Sequence, residues 1–302
     1  IMFFCYCTTQ SHTVSPFHHH LTNHSKFQKD MRVPSRLAKN VLTTLDCHCG
    51  GLPARILIDG VPDIPGNSAM EKRENMMRDY DYLRTLMITE PRGYPCQNLD
   101  VILPSTPNCP EAAYSYVVAE NNFIYPAMSG HNTICVVTAL LETGMVPMIE
   151  PVTRFILEAP AGPIEIEAEC KDGKCETVMF RNAPAFARQE DLSLTIDVPH
   201  LGKVPVDVAY GGMWYAIVRA SDLGLRVRKE DAAELCRLGE MVKVATREQH
   251  PVNHPDFEYP GCDIICIRDE ASDSGKEKFG ADASNAVIMS TGPLDWNQPS
   301  TW

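Results

Sequence analysis

The chain has 302 residues, of which 44% are hydrophobic and 22% are charged, as is typical of a globular protein of about two domains. Its 39 acidic and 27 basic residues give a net charge of −12, which argues against binding to nucleic acid or to an anionic membrane surface. The longest apolar run, 134–141, is far shorter than the roughly 20 residues of a membrane-spanning helix.

The twelve cysteines allow two interpretations. The apolar segment 1–7 lacks the basic flank and the cleavage site of a secretory signal, so we expect a cytoplasmic protein with reduced thiols. Zinc binding is the alternative, but Cys47-His48-Cys49 and the Cys262/Cys266 pair lack the paired spacing of a structural zinc site. The nucleotide-binding patterns G-x-G-x-x-G and the P-loop are missing as well. The sequence therefore predicts neither a metal nor a cofactor.

Along the chain, residues 1–30 contain a histidine cluster without apolar periodicity, which predicts a disordered extension. A short strand is expected at 55–58. Ser68 and Glu71 form a capping box that begins an amphipathic helix, with apolar residues at helical spacing up to Met87.

The second part of the chain is rich in strand patterns. Strict alternation over 164–170, followed by Asp172-Gly173 and 177–180, predicts a hairpin. We expect further strands at 193–198, 206–210, 214–218, 263–267 and 286–289, and an amphipathic helix over 229–246. Because strands outnumber helices and do not alternate with them regularly, the sequence predicts an α+β fold.

One helix, predicted over 133–143, is apolar on nearly every side and must therefore be surrounded, here by strands. It follows Ser129, Gly130, His131 and Asn132. The backbone N–H groups and the dipole at a helix N-terminus can bind a carboxylate or phosphate, and glycine leaves them open. Ser129 is then either a simple N-cap or a reactive group beside the anion, with His131 and Asn132 as further donors. A serine hydrolase has little support, because the chain lacks a G-x-S-x-G motif.

The segment Met128-Ser129-Gly130-His131-Asn132 resembles the signature of the proline racemase family, usually Met-Cys-Gly-His followed by Asn or Gly. Three more blocks, at 46–53, 86–93 and 207–212, resemble family sequences in the same order.

This resemblance implies two pseudo-symmetric halves, each a curled sheet around a central apolar helix, as in proline racemase and diaminopimelate epimerase. The first half would be 31–157 with its central helix at 130–143. The second half, 158–302, would lack its C-terminal central helix, because the family's second signature is not found before the chain stops. The resemblance also implies cofactor-independent proton transfer on a small amino acid substrate, proline or hydroxyproline, with Ser129 as catalytic residue and Gly130, His131 and Asn132 binding the substrate. A homodimer is possible, since family members are often dimers.

Three functions remain open. Ser129 stands where most members carry Cys, and Ile264 stands where epimerases tend to carry His, so we favour a lyase of hydroxyproline metabolism, trans-3-hydroxy-L-proline dehydratase. The first alternative is an isomerase, either 4-hydroxyproline 2-epimerase or proline racemase. The second alternative is an inactive, truncated family member.

Overall fold

The computed structural model describes residues 41–289. The predicted disordered extension at 1–30 lies outside the described residues, and so does the C-terminal region to which the predicted absence of a second central helix refers. Within 41–289 the chain forms two sheets with helices packed on them, so the α+β prediction is confirmed.

The first sheet contains seven strands in sequence order and curls around a single helix. The pairs β2–β3 and β4–β5 are parallel and the other neighbours are antiparallel. The strands are β1 (Thr43–Cys49), β2 (Leu52–Asp59), β3 (Asn98–Leu103), β4 (Tyr114–Ala119), β5 (Val152–Ala159), β6 (Gly162–Lys171) and β7 (Lys174–Arg181).

Three helices cover the two faces of this sheet. Helices α1 (Ala69–Asp79) and α2 (Tyr82–Ile88) pack on one face, and α3 (Gly130–Glu142) occupies the other. Helix α3 contacts β1, β2, β3 and β7, so both edges of the sheet approach it. All residues of α3 from His131 to Leu141 are buried. The predicted central helix is therefore confirmed as a core element surrounded by strands.

The second sheet has five strands in the order β12-β11-β10-β9-β8. One face packs against the long helix α4 (Ala232–Gln249), and the short helix α5 (Asp273–Phe279) connects the last two strands. The strands are β8 (Leu194–Val198), β9 (Gly202–Tyr210), β10 (Trp214–Arg219), β11 (Ile264–Glu270) and β12 (Ala283–Ile288).

The boundary between the sheets differs from the predicted change of halves at residue 157. The β6–β7 hairpin continues the first sheet, since β6 pairs with β5 along its whole length, from Val152↔Glu169 to Ala159↔Gly162. The first sheet therefore ends at Arg181 and the second begins at Leu194. A boundary at 157 would cut this ladder inside β5.

The local predictions agree with the structure in most places. The Ser68 hydroxyl accepts from the Glu71 N–H at 3.2 Å, and the Glu71 carboxylate accepts from the Asn67 N–H at 2.8 Å, so the capping box starts α1 as predicted. The expected single helix divides at Tyr80, whose φ of −125° is not helical, and the second helix starts after Asp81, whose carboxylate accepts from the Arg84 Nε at 2.7 Å. Among the helices between residues 41 and 289, none combines the length and the apolar character needed to cross a membrane.

Candidate functional site

A cavity of about 400 Å³ opens between the N-terminus of α3 and one face of the second sheet. Its first wall comes from the start of α3 and its neighbours: Leu52, Met128, Ser129, Gly130, His131, Ile134, Phe180 and Asn182. Its second wall comes from the second sheet, the β9–β10 connection and the residue after β12: Gly211, Met213, Tyr215, Ile264, Cys266, Asn285, Val287 and Met289. Both sheets therefore contribute to the cavity.

Ser129 is the N-cap residue of α3 but does not act as a side-chain cap. Its hydroxyl oxygen instead accepts a hydrogen bond from the Asn132 Nδ2 at 2.9 Å. Its carbonyl accepts from the Thr133 hydroxyl at 2.7 Å, and that hydroxyl is 2.7 Å from the Tyr116 phenol. The Ser129 side chain is thus held in the cavity wall, while the first N–H groups of the helix are not capped by it.

Gly130 has a steric reason to be glycine. A Cβ added there would lie 3.1 Å from the Phe180 Cζ, tighter than most Cβ contacts, so the Phe180 ring would have to shift by a few tenths of an ångström. Without a side chain, the N–H groups at the start of α3 are open to the cavity, and the helix dipole favours a negative charge there. This end of the cavity can bind a carboxylate without any basic side chain.

His131 lines the cavity but is only 5% exposed. Its Nε2 lies 3.5 Å from the Pro53 carbonyl oxygen. Burial lowers the pKa of His131 to about 4, so its ring is neutral at physiological pH. The ring is directed to Pro53 rather than to Ser129, which leaves the Ser129 hydroxyl with Asn132 as its side-chain partner.

The structure brings three of the four predicted site residues, Ser129, Gly130 and His131, to the cavity. The fourth, Asn132, was predicted to bind substrate, but it is fully buried and does not line the cavity. One helical turn places Asn132 against Ser129 instead, because residues three apart lie on the same helix face. The Asn132 side chain therefore holds Ser129 in place, while its backbone N–H belongs to the first turn of α3.

The sequence blocks at 46–53 and 207–212 meet at this site. The start of β2 supplies Leu52 to the cavity and the Pro53 carbonyl to His131. Gly212 adopts a φ of +100°, and its carbonyl accepts from the Met128 N–H at 3.2 Å. A Cβ on Gly212 would be 2.8 Å from the Met128 Cβ, so only glycine permits this approach next to Ser129.

Arg55 links the remaining block, 86–93, to the first. Its guanidinium forms a bidentate pair with the Asp46 carboxylate at 2.8 and 2.9 Å. It also donates to the carbonyl oxygens of Met87 at 2.7 Å and Arg92 at 2.5 Å. Asp46 raises the pKa of Arg55, which keeps the guanidinium charged. This residue therefore joins β1, β2 and the end of α2 behind the cavity wall.

Sequence analysis missed the polar residues of the second wall, Tyr215, Cys266 and Asn285. Burial and the nearby Glu120 raise the pKa of Tyr215 to about 12. Burial also raises the pKa of the Cys266 thiol, partly offset by the Asn285 Nδ2, which donates to its sulfur at 3.8 Å. Both groups are therefore protonated at neutral pH. They lie on three different strands, and nothing in the sequence showed that these strands present them to one face that meets Ser129.

Comparison with known sequences points to one family. A sequence model of the proline racemase family matches residues 44–299. The chain is 35% identical over 255 residues to proline racemase from Clostridioides difficile, covering 84% of this chain and 73% of that protein. It is 39% identical over 238 residues to 4-hydroxyproline 2-epimerase from Agrobacterium fabrum, covering 78% of this chain and 68% of that protein.

Solved structures agree with these sequence matches. A hydroxyproline epimerase from Agrobacterium vitis, crystallised with trans-4-hydroxy-L-proline, has a TM-score of 0.76 and 31% identity, covering 86% of this chain and 72% of that one. A probable proline racemase from Agrobacterium radiobacter K84, with bound carbonate, has a TM-score of 0.76 and 34% identity over the same shares of the two chains. The fold with two curled sheets is thus shared.

Proposed function

This chain belongs to the proline racemase family of enzymes, and on that premise we propose that the Ser129 cavity removes the α-proton of a hydroxyproline without a cofactor. The substrate carboxylate binds at the N-terminus of α3, where Gly130 leaves the N–H groups open. This placement brings the α-carbon next to Ser129 in the cavity wall.

Stabilisation of negative charge at the N-terminus of α3 lowers the barrier to removal of the α-proton. When the α-proton leaves, negative charge develops on the α-carbon and spreads into the adjacent carboxylate. The N–H groups of α3 already point at that carboxylate, so they stabilise the charge as it forms and need no rearrangement. His131 remains neutral because of its burial, so the stabilisation comes from the N–H groups and not from an imidazolium ion.

Ser129 is the proposed base. A serine hydroxyl is a weaker base than a cysteine thiolate, so Ser129 must first lose its proton, here to solvent in the open cavity. The resulting alkoxide takes the α-proton and passes it to the departing 3-hydroxyl group, which leaves as water, so Ser129 returns to the alkoxide. The Asn132 Nδ2 donates to the Ser129 oxygen at 2.9 Å and thus favours negative charge there. The positive end of the α3 dipole acts in the same direction.

Within this chemistry we favour trans-3-hydroxy-L-proline dehydratase, and the serine at position 129 is the observation that carries it. Elimination removes the α-proton and the 3-hydroxyl group as water and yields a pyrroline carboxylate. It needs no proton delivered to the opposite face of the ring, so one weak base suffices. The apolar Ile264 in the cavity wall, where epimerases tend to carry His, supports the same choice.

A 4-hydroxyproline 2-epimerase or proline racemase is the second candidate. It is supported by the names of the relatives and by the thiol of Cys266, which lines the wall facing the helix end. Racemisation needs an acid–base group on each face of the substrate, and a protonated thiol is a suitable proton donor for the second face.

The experiment is incubation of the protein in D2O with trans-3-hydroxy-L-proline and, separately, with trans-4-hydroxy-L-proline. We expect consumption of the 3-isomer with formation of a ketimine, and Ser129→Ala should abolish it. Deuterium entering the α-position of the 4-isomer, without consumption of the 3-isomer, would support the epimerase instead. Binding of pyrrole-2-carboxylate without turnover of either isomer would support an inactive family member.

A further inference from the structure

Three consecutive residues at the start of α3 face three neighbouring strands of the first sheet. The His131 ring is directed to the Pro53 carbonyl on β2, and the Thr133 hydroxyl contacts the Tyr116 phenol on β4. Strand β3 lies between β2 and β4 in the sheet. Because each residue turns an α-helix by about 100°, Asn132 is directed between these two contacts and therefore faces β3.

Asp100 is the residue of β3 that meets Asn132. It pairs with Val118 on β4, which packs in one core cluster with α3, so the Asp100 side chain points to the helix. Along β3 it lies midway between Asn98, which pairs next to the β2 contact, and Ile102, which pairs with the β4 contact Tyr116. The register thus places Asp100 opposite the first turn of α3.

Asp100 and Asn132 both carry buried oxygen atoms that lack a hydrogen-bond partner. Asp100 is fully buried, and neither of its carboxyl oxygens has a partner among the described residues. The Asn132 Oδ1 likewise has none, while the Nδ2 of the same group donates to Ser129. Buried polar groups are almost always hydrogen-bonded. Two oxygens that face each other can pair only if one carries a proton, and of these two groups only the carboxyl can.

The surroundings of Asp100 favour a protonated carboxyl group. Its charged or titratable neighbours are Tyr116 and Glu120 from β4 and the residue after it, and its partner on β2 is the apolar Ile56. Burial and the Glu120 carboxyl raise the pKa of Asp100 well above its usual value, and no basic side chain in the described part of the chain offsets this shift. A neutral carboxyl group donates one hydrogen bond and is far less costly to bury than a carboxylate.

We propose that the protonated Asp100 carboxyl donates a hydrogen bond to the Asn132 Oδ1 and thereby fixes the carboxamide with its Nδ2 towards Ser129. This inference rests on the proposed function, in which Ser129 is the base. A carboxamide turned by 180° would present its oxygen to Ser129 and would disfavour the negative charge that the base needs. Asp100 does not line the cavity, so it is a positioning residue that acts on Ser129 through Asn132.

The test is a double-mutant cycle on kcat, with whichever hydroxyproline isomer the protein turns over. Asp100→Leu keeps the branched shape but has no donor, so we expect kcat to fall about tenfold and KM to change less than twofold. Asp100→Asn can still donate, and its kcat should stay within about threefold of the wild type. In an Asn132→Ala background, Asp100→Leu should cause no further loss.

Thr138→Val is the control for a buried polar group lost from the same region. Thr138 is buried on α3, and its hydroxyl donates to the Ile134 carbonyl at 2.9 Å, so its removal should leave kcat unchanged. Additive losses from Asp100→Leu and Asn132→Ala would show that the carboxyl donates elsewhere, for instance to Glu120, and would overturn the inference. An Asp100→Asn variant as slow as Asp100→Leu would overturn it too.

A measurement without substrate separates this inference from the proposed function. If no isomer is turned over, the proposed function fails, and the same cycle on urea unfolding midpoints still decides the contact between Asp100 and Asn132. Non-additive shifts are expected, and additive shifts would refute the contact.

Should Asp100→Leu not fold, Asp100→Asn alone decides. Its unfolding midpoint relative to the wild type should rise from pH 4 to pH 7, because the unfolded wild-type chain ionises Asp100 and the folded protein does not. A fall over this range would show that Asp100 is ionised in the folded protein and would overturn the inference.

Discussion

The Asn132 side-chain amide donates a hydrogen bond of 2.9 Å to the Ser129 hydroxyl oxygen, across the first turn of the helix that Ser129 begins. Asn132 is fully buried, so this bond is shielded from water. It occupies one lone pair of the Ser129 oxygen and leaves the hydroxyl proton directed to no protein acceptor, so that proton is lost to solvent in the cavity. The pair thus couples a buried side-chain amide, which does not line the cavity, to the group proposed to react.

Replacing Asn132 by Ala is expected to lower kcat about tenfold and to change KM less than twofold, because the bond stabilises charge on Ser129 during the reaction and does not bind substrate. Steady-state kinetics with trans-3-hydroxy-L-proline measures both constants. Asn108→Ala, at an exposed asparagine, is the control. A raised KM at unchanged kcat would instead restore the substrate-binding role that the sequence predicted for Asn132.

Replacing Gly130 by Ala is expected to weaken pyrrole-2-carboxylate binding about tenfold, because the new methyl group meets the Phe180 ring at 3.1 Å and displaces the start of α3. Adding Phe180→Leu should relieve this contact and return the Kd to within about threefold of the Phe180→Leu single variant. Titration calorimetry on the three variants measures these dissociation constants. Persistent weak binding in the double variant would mean that the methyl group obstructs the ligand directly.

Gly212→Ala should destabilise the protein more than Gly202→Ala. Both glycines have positive φ, +100° and +77°, so both variants bear the conformational cost of about 1–2 kcal/mol. Only at position 212 does the new Cβ collide with a neighbour, the Met128 Cβ at 2.8 Å, whereas at 202 nothing lies within 4 Å. Urea unfolding gives both free energies. Equal losses would mean that Met128 moves aside without cost.

The buried His131 makes the free energy of unfolding depend on pH. Its pKa is about 4 in the folded protein and about 6.5 when unfolded, so the unfolded chain binds more protons between these values. Keeping His131 neutral thus contributes about 3 kcal/mol to the free energy of unfolding. This contribution is fully present above pH 6.5 and is lost as the pH falls to 4. His131→Asn should flatten this part of the profile, measured by urea unfolding from pH 4 to 7. His200→Asn, at an exposed histidine, is the control and should leave the profile unchanged. If His200→Asn flattens the profile equally, the assignment of the pH dependence to His131 is wrong.

The sequence predicted those elements whose residue pattern alone specifies a helix or a hairpin. Helix α3 is apolar on nearly every side and begins at Gly130, directly after Ser129, so its place in the core and its open N-terminus followed directly. The β6–β7 hairpin was equally clear from its alternation and its Asp-Gly turn. In contrast, β3 was missed because all six of its residues are buried and show no alternation.

The candidate site was predicted only on its helical side. Ser129, Gly130 and His131 are neighbours in sequence, so their proximity needed no tertiary information. Tyr215, Cys266 and Asn285 come from three strands of another sheet and reach the cavity only through the packing of the two sheets. The role of Asn132 was within reach, since its spacing of three from Ser129 already placed both side chains on one face.

The cavity is bounded by residues as far apart in sequence as Leu52 and Met289. It therefore exists only when both sheets are folded and packed against each other. A form in which only one of the two sheets is folded does not retain the cavity. By mass action, a ligand that occupies it adds RT ln(1 + [L]/Kd) to the free energy of unfolding of the whole described structure, about 2.7 kcal/mol at a hundredfold excess over Kd. A higher substrate concentration thus lengthens the lifetime of the folded protein and increases its resistance to proteolysis. Catalytic activity in turn requires that both sheets are folded.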